Sequence, residues 1–391
     1  MKIDSRLSER IRKVNPSPTL SITAKAKKLV QEGIDVVSFA AGEPDFDTPD
    51  VIKKAAKDAI DAGFTKYTPT TGIPELKKLI AAKFLKDNAL TYDERQIIVS
   101  CGAKHSIFNA LFVLVNPNDE VLIPSPYWVS YPEMAYLCGG IPKFVKTDPA
   151  NSFKMTADDL KKNCSAKTKV LILNSPSNPA GCVYSREELA KIAEICVARK
   201  IRCISDEIYE KIIFDREKHV SIASLGKQIC DLTVTVNGLS KSHSMTGWRI
   251  GYLGAPQDIA QAISNFQDHS TSNPTSISQK AAVAALAMPD AFSRMMSEEF
   301  EKRRDYIVKR IQGMPKFSCV VPRGAFYIFC DIRRTRADSL SFCGRLLDEL
   351  SIAAIPGIAF GNDGFVRFSF ATSMEHISKG MDRLEGWLKK L

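Results

Sequence analysis

The sequence has few of the patterns that mark metal or disulfide sites. It contains only five histidines, none spaced as metal ligands, and no two of its ten cysteines are separated as in CxxC. These absences exclude the usual zinc and thioredoxin-type motifs, and we expect no bound metal. The cysteines are instead typical of small buried hydrophobic residues in a reducing compartment.

Long uncharged apolar segments are also missing. No stretch reaches about 18 uncharged apolar residues, and the N-terminal MKIDSRLSERIRKV has no apolar core of a secretory signal. We therefore expect a soluble, cytoplasmic protein with no membrane partner.

Basic residues are in excess but are not clustered. Lys and Arg total 54 against 44 Asp and Glu, a formal net charge of +10. The charges are interspersed, with no basic arm and no basic stripe with interleaved aromatics, so we expect no nucleic-acid partner. A mild positive field favours small anionic ligands. HExxH, GxSxG, GxxxxGK[ST] and GxGxxG are absent as well, which argues against metalloprotease, α/β-hydrolase, P-loop and standard dinucleotide sites.

The chain is long enough for a large core and two lobes, with 391 residues of which 45% are hydrophobic. Apolar β runs alternate with helical segments between about residues 95 and 255; the runs are RQIIVS, DEVLIPS, TKVLILN, IRCISD and LTVTVN. In the helical segment SREELAKIAEICVARK, Ser185 is the predicted N-cap. Continuous apolar strands separated by helices indicate an α/β fold with a mostly parallel sheet covered on both faces.

The pattern changes after about residue 290. EEFEKRRDYIVKRIQ predicts a long charged helix, and GAFYIFCDI and GFVRFSF predict β segments set among helices. We therefore predict a large domain over residues 47–290, and a small domain formed by residues 1–46 and 291–391.

Three polar residues follow predicted strands about one βα unit apart. They are Asn178 in NSPSNPAG, Asp206 in SDEIY and Lys241 in GLSKS. Each alone has an ordinary interpretation, as a turn residue, a helix cap and a surface lysine. Because ligands bind at the carboxyl ends of parallel strands, the fold would bring them together with Tyr209. A lysine desolvated in such a site is a Schiff-base nucleophile.

Six motifs carry a family resemblance: AAGEPDFDTP, KYTPTTGIPELK, NSPSNPAG, SDEIYE, LSKSHSMTGWRIGY and FVRFSFA, in this order. The sequence resembles the class I aminotransferases, pyridoxal-phosphate enzymes of fold-type I, and is most similar to their bacterial-type aspartate aminotransferase branch. The resemblance implies a mostly parallel seven-stranded sheet sandwiched by helices, plus a smaller α/β domain. It also implies ping-pong amino transfer between the pyridoxal and pyridoxamine forms of the cofactor.

The resemblance assigns roles around the cofactor ring. Lys241 would hold pyridoxal 5'-phosphate as a Schiff base and, once freed, move the proton at the substrate Cα. Asp206 would keep the pyridine nitrogen protonated. Tyr209 and Asn178 would hydrogen-bond the 3′ oxygen, and Trp128 would stack on the ring.

The resemblance places the cofactor phosphate at the start of the helix in SCGAKHS. There the backbone amides of Ala103 and Lys104 would meet it. Arg249 would add a charge-assisted contact and Ser240 a hydroxyl. Tyr67, in KYTP, would reach the phosphate of the neighbouring subunit, which implies a homodimer with shared active sites.

The resemblance also implies amino acid and 2-oxo acid substrates. Arg367 would bind the α-carboxylate in a bidentate fork, beside Gly42, where the backbone comes close, and beside Trp128 and Asn178. In this branch a lysine at the position of Lys104 can pair with the distal carboxylate of aspartate or glutamate; a solvated lysine is the alternative. We therefore expect aspartate and 2-oxoglutarate as the preferred pair.

Two further segments bear on partners and substrates. STSNPTS, residues 270–276, resembles a segment that crosses toward the partner subunit's pocket. Members that aminate prephenate tend to carry a basic residue where Asn15 stands, next to Arg12 and Lys13; this departure weakens prephenate as a substrate and leaves it open. His243 also departs from the branch, and we expect it to pack behind the lysine.

Other functions stay open at this point. The chain could be an aminotransferase with another preferred substrate, such as glutamate, prephenate or an aromatic amino acid. It could also be a pyridoxal-phosphate-dependent lyase, or a non-enzymatic regulator that binds the cofactor. Such regulators usually carry a DNA-binding domain, for which 391 residues leave no room.

Overall fold

The computed structural model describes residues 6–12, 14 and 18–390. Lys13 and Asn15, on which the prephenate argument partly rests, lie outside these residues. The described strands form a seven-stranded sheet, a four-stranded sheet and a two-stranded pair. No helix among the described residues has both the length and the apolar composition to cross a membrane.

The strands are β1 Val37–Ser38, β2 Ile97–Ser100, β3 Glu120–Ser125, β4 Ile141–Lys146, β5 Thr168–Asn174, β6 Arg202–Asp206, β7 Thr233–Gly238, β8 Gly251–Gly254, β9 Ser318–Cys319, β10 Tyr327–Asp331, β11 Ile352–Ala353, β12 Ile355–Pro356 and β13 Phe365–Ser369. The five predicted β runs correspond to β2, β3, β5, β6 and β7. The predicted C-terminal segments correspond to β10 and β13.

The α-helices are α1 Glu9–Arg12, α2 Pro18–Gln31, α3 Asp50–Asp61, α4 Pro74–Asn88, α5 Ala103–Leu114, α6 Ser130–Leu137, α7 Ala157–Asn163, α8 Arg186–Arg199, α9 Lys227–Cys230, α10 Gln257–Asp268, α11 Ser276–Ala287, α12 Ala291–Gln312, α13 Ser339–Leu350 and α14 Met374–Leu388. Short 3₁₀ turns cover Glu94–Gln96, Pro149–Asn151, Ile222–Leu225, Arg333–Thr335 and Gly357–Phe360. Ser185 caps α8 as predicted, because its hydroxyl accepts a hydrogen bond from the amide of Glu188 at 3.3 Å.

The large sheet has the strand order β2-β8-β7-β6-β5-β3-β4. Its neighbouring strands are parallel except for the two pairs that β8 makes. Apolar residues of α5 and α10 pack on one face, and apolar residues of α8 pack on the other. The mostly parallel sheet sandwiched by helices is therefore confirmed.

The register of the large sheet aligns the strands that carry the predicted site. Asp206, the last residue of β6, lies beside Asn174 at the end of β5 and beside Val236 near the end of β7. The antiparallel β8 begins at this same edge, where Gly251 is paired with Gly238. Segments that follow β5, β6 and β7, and the segment that precedes β8, therefore meet at one edge of the sheet.

The smaller sheets use both ends of the chain. β1 runs parallel to β11, with Val37 opposite Ile352. The four-stranded sheet has the order β12-β13-β10-β9. Arg367 lies in β13 between two neighbours, opposite Phe329 of β10 and Ile355 of β12. A charged residue at this central position is therefore surrounded by backbone and side chains.

Gln267 of α10 joins three elements near the start of α5. Its side chain is fully buried, and its Oε1 accepts hydrogen bonds from the Ser100 hydroxyl at 3.0 Å and the Asn109 amide at 2.9 Å. Its Nε2 donates to the carbonyls of Val99 and Thr70, each at 2.9 Å. All four bonding positions of the amide are therefore used, and α10 is fastened to β2 and α5.

We expect Gln267→Ala to destabilise the protein strongly, because it leaves two donors and two acceptors buried without partners. The free energy of unfolding in urea should fall by about 3 kcal/mol, since each unsatisfied buried group costs roughly 1–3 kcal/mol. Gln261→Ala is the matched control: Gln261 is exposed on the same helix and bonds only Asn265, at 2.9 Å. That control should change the free energy by about 0.5 kcal/mol or less; equal losses in both variants would contradict the prediction.

Candidate active site

Asp206 is a buried carboxylate at the end of β6, only 3% exposed. The Tyr131 hydroxyl donates to its Oδ2 at 2.6 Å, and the Ile208 amide donates to its Oδ1 at 3.3 Å. Burial raises the pKa of Asp206 to about 6, although both donors oppose the shift. A cation beside this carboxyl group would therefore favour its ionised form.

Lys241 lies in the turn that follows β7, where it is half-buried. Its Nζ donates a 2.6 Å hydrogen bond to the Gly42 carbonyl. The same nitrogen lies 5.9 Å from the ring centres of Tyr209 and Phe326. Lys241 therefore points into an aromatic recess beside Gly42, and it is not the surface lysine of the ordinary interpretation.

The surroundings of Lys241 disfavour its charged form. Burial lowers the pKa of Lys241 to about 8; Glu43 opposes this shift, and the positive charges of Arg249 and Arg367 reinforce it. An amine with this pKa is largely neutral in mildly alkaline solution, which a nucleophile or proton acceptor requires.

Arg367 is a buried guanidinium, 3% exposed. It donates to Asn178 Oδ1 at 3.1 Å and to the Ala40 carbonyl at 3.0 Å, and it stacks 4.3 Å from the ring centre of Tyr327. Its Nε is buried and makes no hydrogen bond. Among the described residues no carboxylate pairs with Arg367, so a buried positive charge is available to an anionic ligand.

Asn178 and Tyr209 lie on either side of this guanidinium. The Asn178 backbone amide donates to Asn174 Oδ1 at 2.9 Å, which fixes the loop after β5. The hydroxyls of Tyr209 and Tyr327 are 2.9 Å apart. Tyr327 thus links Tyr209 to Arg367, and the three form one contiguous polar surface.

The start of α5 forms a second cationic site. Gly102 precedes α5 with φ +90°, and a Cβ on it would lie 2.5 Å from Arg249 Nη2. Arg249 donates to two carbonyls, those of Thr246 at 2.9 Å and Cys101 at 3.3 Å. No described carboxylate pairs with Arg249, whose guanidinium lies beside the amide-rich first turn that begins at Ala103.

Lys104 and Ser240 border the same region. Lys104 Nζ lies 4.9 Å from the Trp128 ring centre. Desolvation lowers the pKa of Lys104, and Arg249 lowers it further. Ser240 is buried, and its hydroxyl makes no hydrogen bond to a described residue. Lys104 likewise has no ion-pair partner within the described chain.

Tyr67 and His243 lie outside this cluster. Tyr67 lies in the loop between α3 and α4, is 93% exposed, and makes no hydrogen bond or ring contact with another described residue. His243 Nδ1 is 2.8 Å from the Ser242 hydroxyl. Burial lowers the pKa of His243 to about 4, so its ring is neutral.

The turn that carries Asp206 and Tyr209 also carries a buried ionic cluster. His219 Nε2 lies 2.9 Å from Glu207, and Asn88 donates to Glu207 at 3.2 Å and to Glu210 at 2.7 Å. Lys83 pairs with Glu210. Ligand atoms of Glu207, Glu210 and His219 lie within 4.8 Å of one another, but the surrounding donors already satisfy the carboxylates. We interpret the cluster as structural support for the turn.

Sequence reasoning missed two aromatic residues of the site. Tyr131, three positions after Trp128, bonds Asp206, and Tyr327, within the β-like segment GAFYIFCDI, contacts both Tyr209 and Arg367. Neither stands in a motif that indicates chemistry. Only the packing of α6 on the large sheet beside β3 and β4, and of the small sheet against the large one, brings them to the site.

The donor set fits pyridoxal phosphate. Arg249 and the start of α5 offer a cationic cradle for a phosphate, and Arg249 has no anion of its own there. Asp206 supplies a buried acceptor for a protonated ring nitrogen. Lys241 supplies an amine whose pKa is lowered to about 8. Arg367 and Lys104 then provide positive charge for the carboxylates of a substrate.

Comparison with known proteins agrees with this chemistry. Residues 34–384 match the sequence profile described as aminotransferase class I and II. The aspartate aminotransferase of Geobacillus stearothermophilus is 45% identical over 389 residues, which cover 98% of this chain and 99% of that protein. The probable aspartate/prephenate aminotransferase of Aquifex aeolicus is 44% identical over 390 residues, which cover 98% of this chain and 99% of that protein.

A solved structure gives the same result for the fold. The aspartate aminotransferase of Thermus thermophilus with maleate superposes with a TM-score of 0.94 at 38% identity, over 97% of this chain and 99% of that one. The match extends over both the large and the small sheets. The chain therefore belongs to the class I and II aminotransferase family of pyridoxal-phosphate enzymes.

Proposed function

We propose that this protein is an aspartate aminotransferase, which transfers the amino group of L-aspartate reversibly to 2-oxoglutarate in a ping-pong reaction. The observation that carries the proposal is a count of charges. Arg249 and Arg367 lie near Lys241 and Lys104 lies near Arg249, and among the described residues none of these three cations has an anionic partner. Pyridoxal phosphate and a dicarboxylic amino acid bring three anionic groups: a phosphate, an α-carboxylate and a distal carboxylate.

The charge count favours a dicarboxylate over alanine or an aromatic amino acid, which would leave one cation unpaired. The relative from Geobacillus stearothermophilus and the Thermus thermophilus structure both carry the name aspartate aminotransferase, and the latter holds the dicarboxylate maleate. Prephenate is also a dicarboxylate, and the Aquifex aeolicus relative bears both substrate names. An aspartate/prephenate aminotransferase is therefore the second candidate.

Substrate binding follows from the positions of the cations. Arg367 binds the α-carboxylate through its guanidinium, with Asn178 holding one of its amino groups at 3.1 Å. Gly42 lies beside Tyr327, on whose ring Arg367 stacks, and a Cβ at Gly42 would come within 3.5 Å of the Tyr327 hydroxyl. The substrate would bind between Gly42 and Arg367. Lys104, beside Trp128, receives the distal carboxylate.

Proton transfer follows from the two shifted groups. When bound, pyridoxal phosphate supplies a carbonyl carbon that accepts the amino group and a ring that takes up the electron pair left at Cα. Lys241, in its neutral form, would remove the Cα proton and, as the resulting acid, deliver it to the carbon of the cofactor that was the carbonyl. Asp206 would keep the ring nitrogen protonated, and Tyr209 and Asn178 would donate hydrogen bonds to the 3′ oxygen.

The remaining residues would hold the cofactor phosphate and cover the cofactor ring. Ala103 and Lys104 offer the free amides of the first turn of α5, and Ser240 offers a hydroxyl that has no described partner. Arg249 adds the charge. Trp128 lies beside Lys104 and covers the ring face.

We also propose the two-domain division, with a large domain over 47–290 and a small domain of 1–46 and 291–391. All seven strands of the large sheet fall in the first range, and all strands of the two smaller sheets fall in the second. The site lies where Arg367 of the small sheet approaches Asn178 of the large one. Closure of the small domain on a bound substrate would exclude water from Cα.

A homodimer with shared active sites completes the proposal. Tyr67 is 93% exposed, an unusual position for a tyrosine, and its side chain makes no hydrogen bond or ring contact with another described residue. Gln279 connects the loop that carries Tyr67 to the segment 270–276. The Gln279 Nε2 donates to Thr68 Oγ1 at 2.9 Å and to the Pro274 carbonyl at 2.8 Å. The two segments expected to reach the partner therefore form one surface.

A cytoplasmic location accords with the cysteines, since all ten are free thiols.

The pH dependence of cofactor capture tests the role of Lys241. The rate at which the cofactor-free protein captures pyridoxal phosphate covalently should rise with pH around a midpoint near 8, because only the neutral amine attacks. Stopped-flow absorbance between about pH 6 and 10 measures this rate, with Nα-acetyl-lysine as the reference amine and Lys241→Ala as the blank. A midpoint near the ordinary lysine pKa of about 10.4 would contradict the prediction.

Single-donor titration tests the substrate. The holoprotein is mixed with one amino acid at a time, without an acceptor, and the absorbance of the bound cofactor is followed. Aspartate and glutamate should convert it rapidly, and alanine, aromatic and basic amino acids slowly. Conversion by another donor alone would overturn the aspartate assignment, and conversion by none would favour the lyase or regulator. Prephenate is then supplied as the acceptor after the first half-reaction. Its amination would favour the aspartate/prephenate aminotransferase, which is the second candidate.

Lys104→Met tests the distal contact, because it keeps the chain length and loses the charge. The kcat/KM for aspartate should fall about tenfold or more, equivalent to about 1.4 kcal/mol, while that for alanine changes little. Lys161→Met, an exposed lysine of α7, is the control and should alter neither. An equal loss with both donors would instead assign Lys104 to the cofactor phosphate.

Mixing of inactive variants tests the shared sites. Tyr67→Ala and Lys241→Ala are each expected to be impaired, but their mixed dimer contains one site with both residues intact. When the two variants are mixed in equal amounts and exchange subunits freely, the mixture should recover about a quarter of wild-type activity. Half of the dimers are then mixed, and each mixed dimer has one intact site of its two. Asp206→Asn mixed with Lys241→Ala is the control: both residues belong to the same chain's site, so no recovery is expected. Equal recovery, or none in either mixture, would contradict shared sites.

A further inference from the structure

The Tyr131 side chain contacts both Asp206 and Trp128. It is the second residue of α6 and is only 2% exposed. Its hydroxyl donates to Asp206 Oδ2 at 2.6 Å. Its ring meets the Trp128 ring edge-on, with centres 5.3 Å apart and planes at 83°. Asp206 and Trp128 come from different strand ends, β6 and β3, so Tyr131 connects two otherwise separate parts of the site.

We propose that Tyr131 is a positioning residue for the cofactor ring, which acts by fixing both the carboxylate that meets the ring nitrogen and the indole that covers the ring face. This inference rests on the proposed function of Asp206 and Trp128. It concerns a residue that touches neither the substrate nor the reacting atoms.

The first part of the argument is the direction of the Asp206 carboxylate. Among the described residues, Oδ2 accepts only the Tyr131 hydroxyl, and Oδ1 accepts only the Ile208 amide, at the longer distance of 3.3 Å. A carboxylate has about four lone-pair positions, so these two donors set its plane and leave the outward positions to a ring N–H. Without the hydroxyl, the carboxylate would be held by one weak backbone contact.

The second part is the charge on Asp206. Burial raises its pKa to about 6, and the hydrogen bond from Tyr131 is the largest opposing influence. A hydroxyl that donates to a carboxylate stabilises the anion. Loss of this donor therefore raises the pKa further, and more of the carboxyl group would be protonated at neutral pH. A protonated Asp206 could not hold a proton on the ring nitrogen by its charge.

The third part is the orientation of Trp128. Its indole is bounded on one side by the Tyr131 ring and contacts the Lys104 ammonium at 4.9 Å on a face. An edge-to-face contact fixes the angle between the two rings. Trp128 lies two residues before α6, and its carbonyl accepts a hydrogen bond from the Tyr131 amide at 3.0 Å. The backbone therefore also joins the indole to the residue whose hydroxyl bonds Asp206.

Tyr131→Phe tests the proposal, because it removes the hydroxyl and keeps the ring. The dissociation constant for pyridoxal phosphate, measured by titration of the cofactor-free protein, should rise about tenfold, as expected for a lost hydrogen bond to a charged group. The acid limb of the kcat profile should move to higher pH by about one unit, with KM for the donor little changed. Tyr184→Phe is the control, since Tyr184 is equally buried and its hydroxyl bonds only the Met155 amide, at 2.8 Å.

A double-mutant cycle separates positioning from stability. If Tyr131 acts through Asp206, Tyr131→Phe should weaken cofactor binding in the wild-type background and have little further effect in Asp206→Asn. The thermal unfolding temperatures of the cofactor-free Tyr131→Phe and Tyr184→Phe proteins should fall to a similar extent, because each variant loses one buried hydrogen bond. A loss of stability confined to Tyr131→Phe, with an unchanged dissociation constant and pH profile, would overturn the proposal.

The readouts also distinguish this inference from the proposed function. If the wild-type protein bound pyridoxal phosphate but converted no donor, the aminotransferase assignment would fail, and the cofactor dissociation constants of the four proteins in the cycle would still decide the role of Tyr131. If donors were converted and Tyr131→Phe behaved as Tyr184→Phe, the inference alone would fail.

Discussion

The common direction of the parallel strands is the constraint on which this site depends. Strands that run parallel all end at the same edge of the sheet, so the segments that follow them emerge side by side there. Here the segments after β5, β6 and β7 supply Asn178, Asp206 and Lys241. The antiparallel β8 adds Arg249, because a reversed strand begins where its neighbours end. Residues far apart in the chain thus meet without a dedicated loop to join them.

Electrostatics explains what such an edge can hold. Arg367 is buried and bonds the Ala40 carbonyl and the Asn178 side-chain amide, and among the described residues Arg249 bonds only carbonyls. Two guanidinium groups without anions are costly in a folded chain, and ligand anions can offset that cost. Burial also moves the pKa of Lys241 down to about 8 and that of Asp206 up to about 6. Both groups therefore exchange protons within a few units of neutrality, which suits acid and base chemistry.

Buried residues outside the site hold in place the segments that carry the site residues. One turn presents Asp206 and Tyr209 to the cofactor region and Glu207 and Glu210 to a buried cluster. Burial opposes the charged form of His219, but Glu207 outweighs it and the pKa of His219 is raised, so this cluster is held by charge as well as by hydrogen bonds. Gln267 gives similar support at the start of α5, through hydrogen bonds alone. Its side-chain amide bonds residues of β2, of α5 and of the loop between α3 and α4. Such support fixes catalytic side chains that would otherwise have rotational freedom.

The sequence by itself determined the class of the fold and most of the residues that gather at the site. Short apolar runs such as TKVLILN that alternate with helical segments indicate buried strands, and Ser185 predicted where α8 starts. Strand β8 escaped prediction because GYLG is short and half glycine, and β4 because IPKFVK contains a proline and two lysines. Tertiary structure alone decided that Tyr131 bonds Asp206 and that Tyr327 links Tyr209 to Arg367. These contacts arise when a helix or a second sheet packs over a strand end, and no local pattern encodes a distance between residues so far apart in the chain.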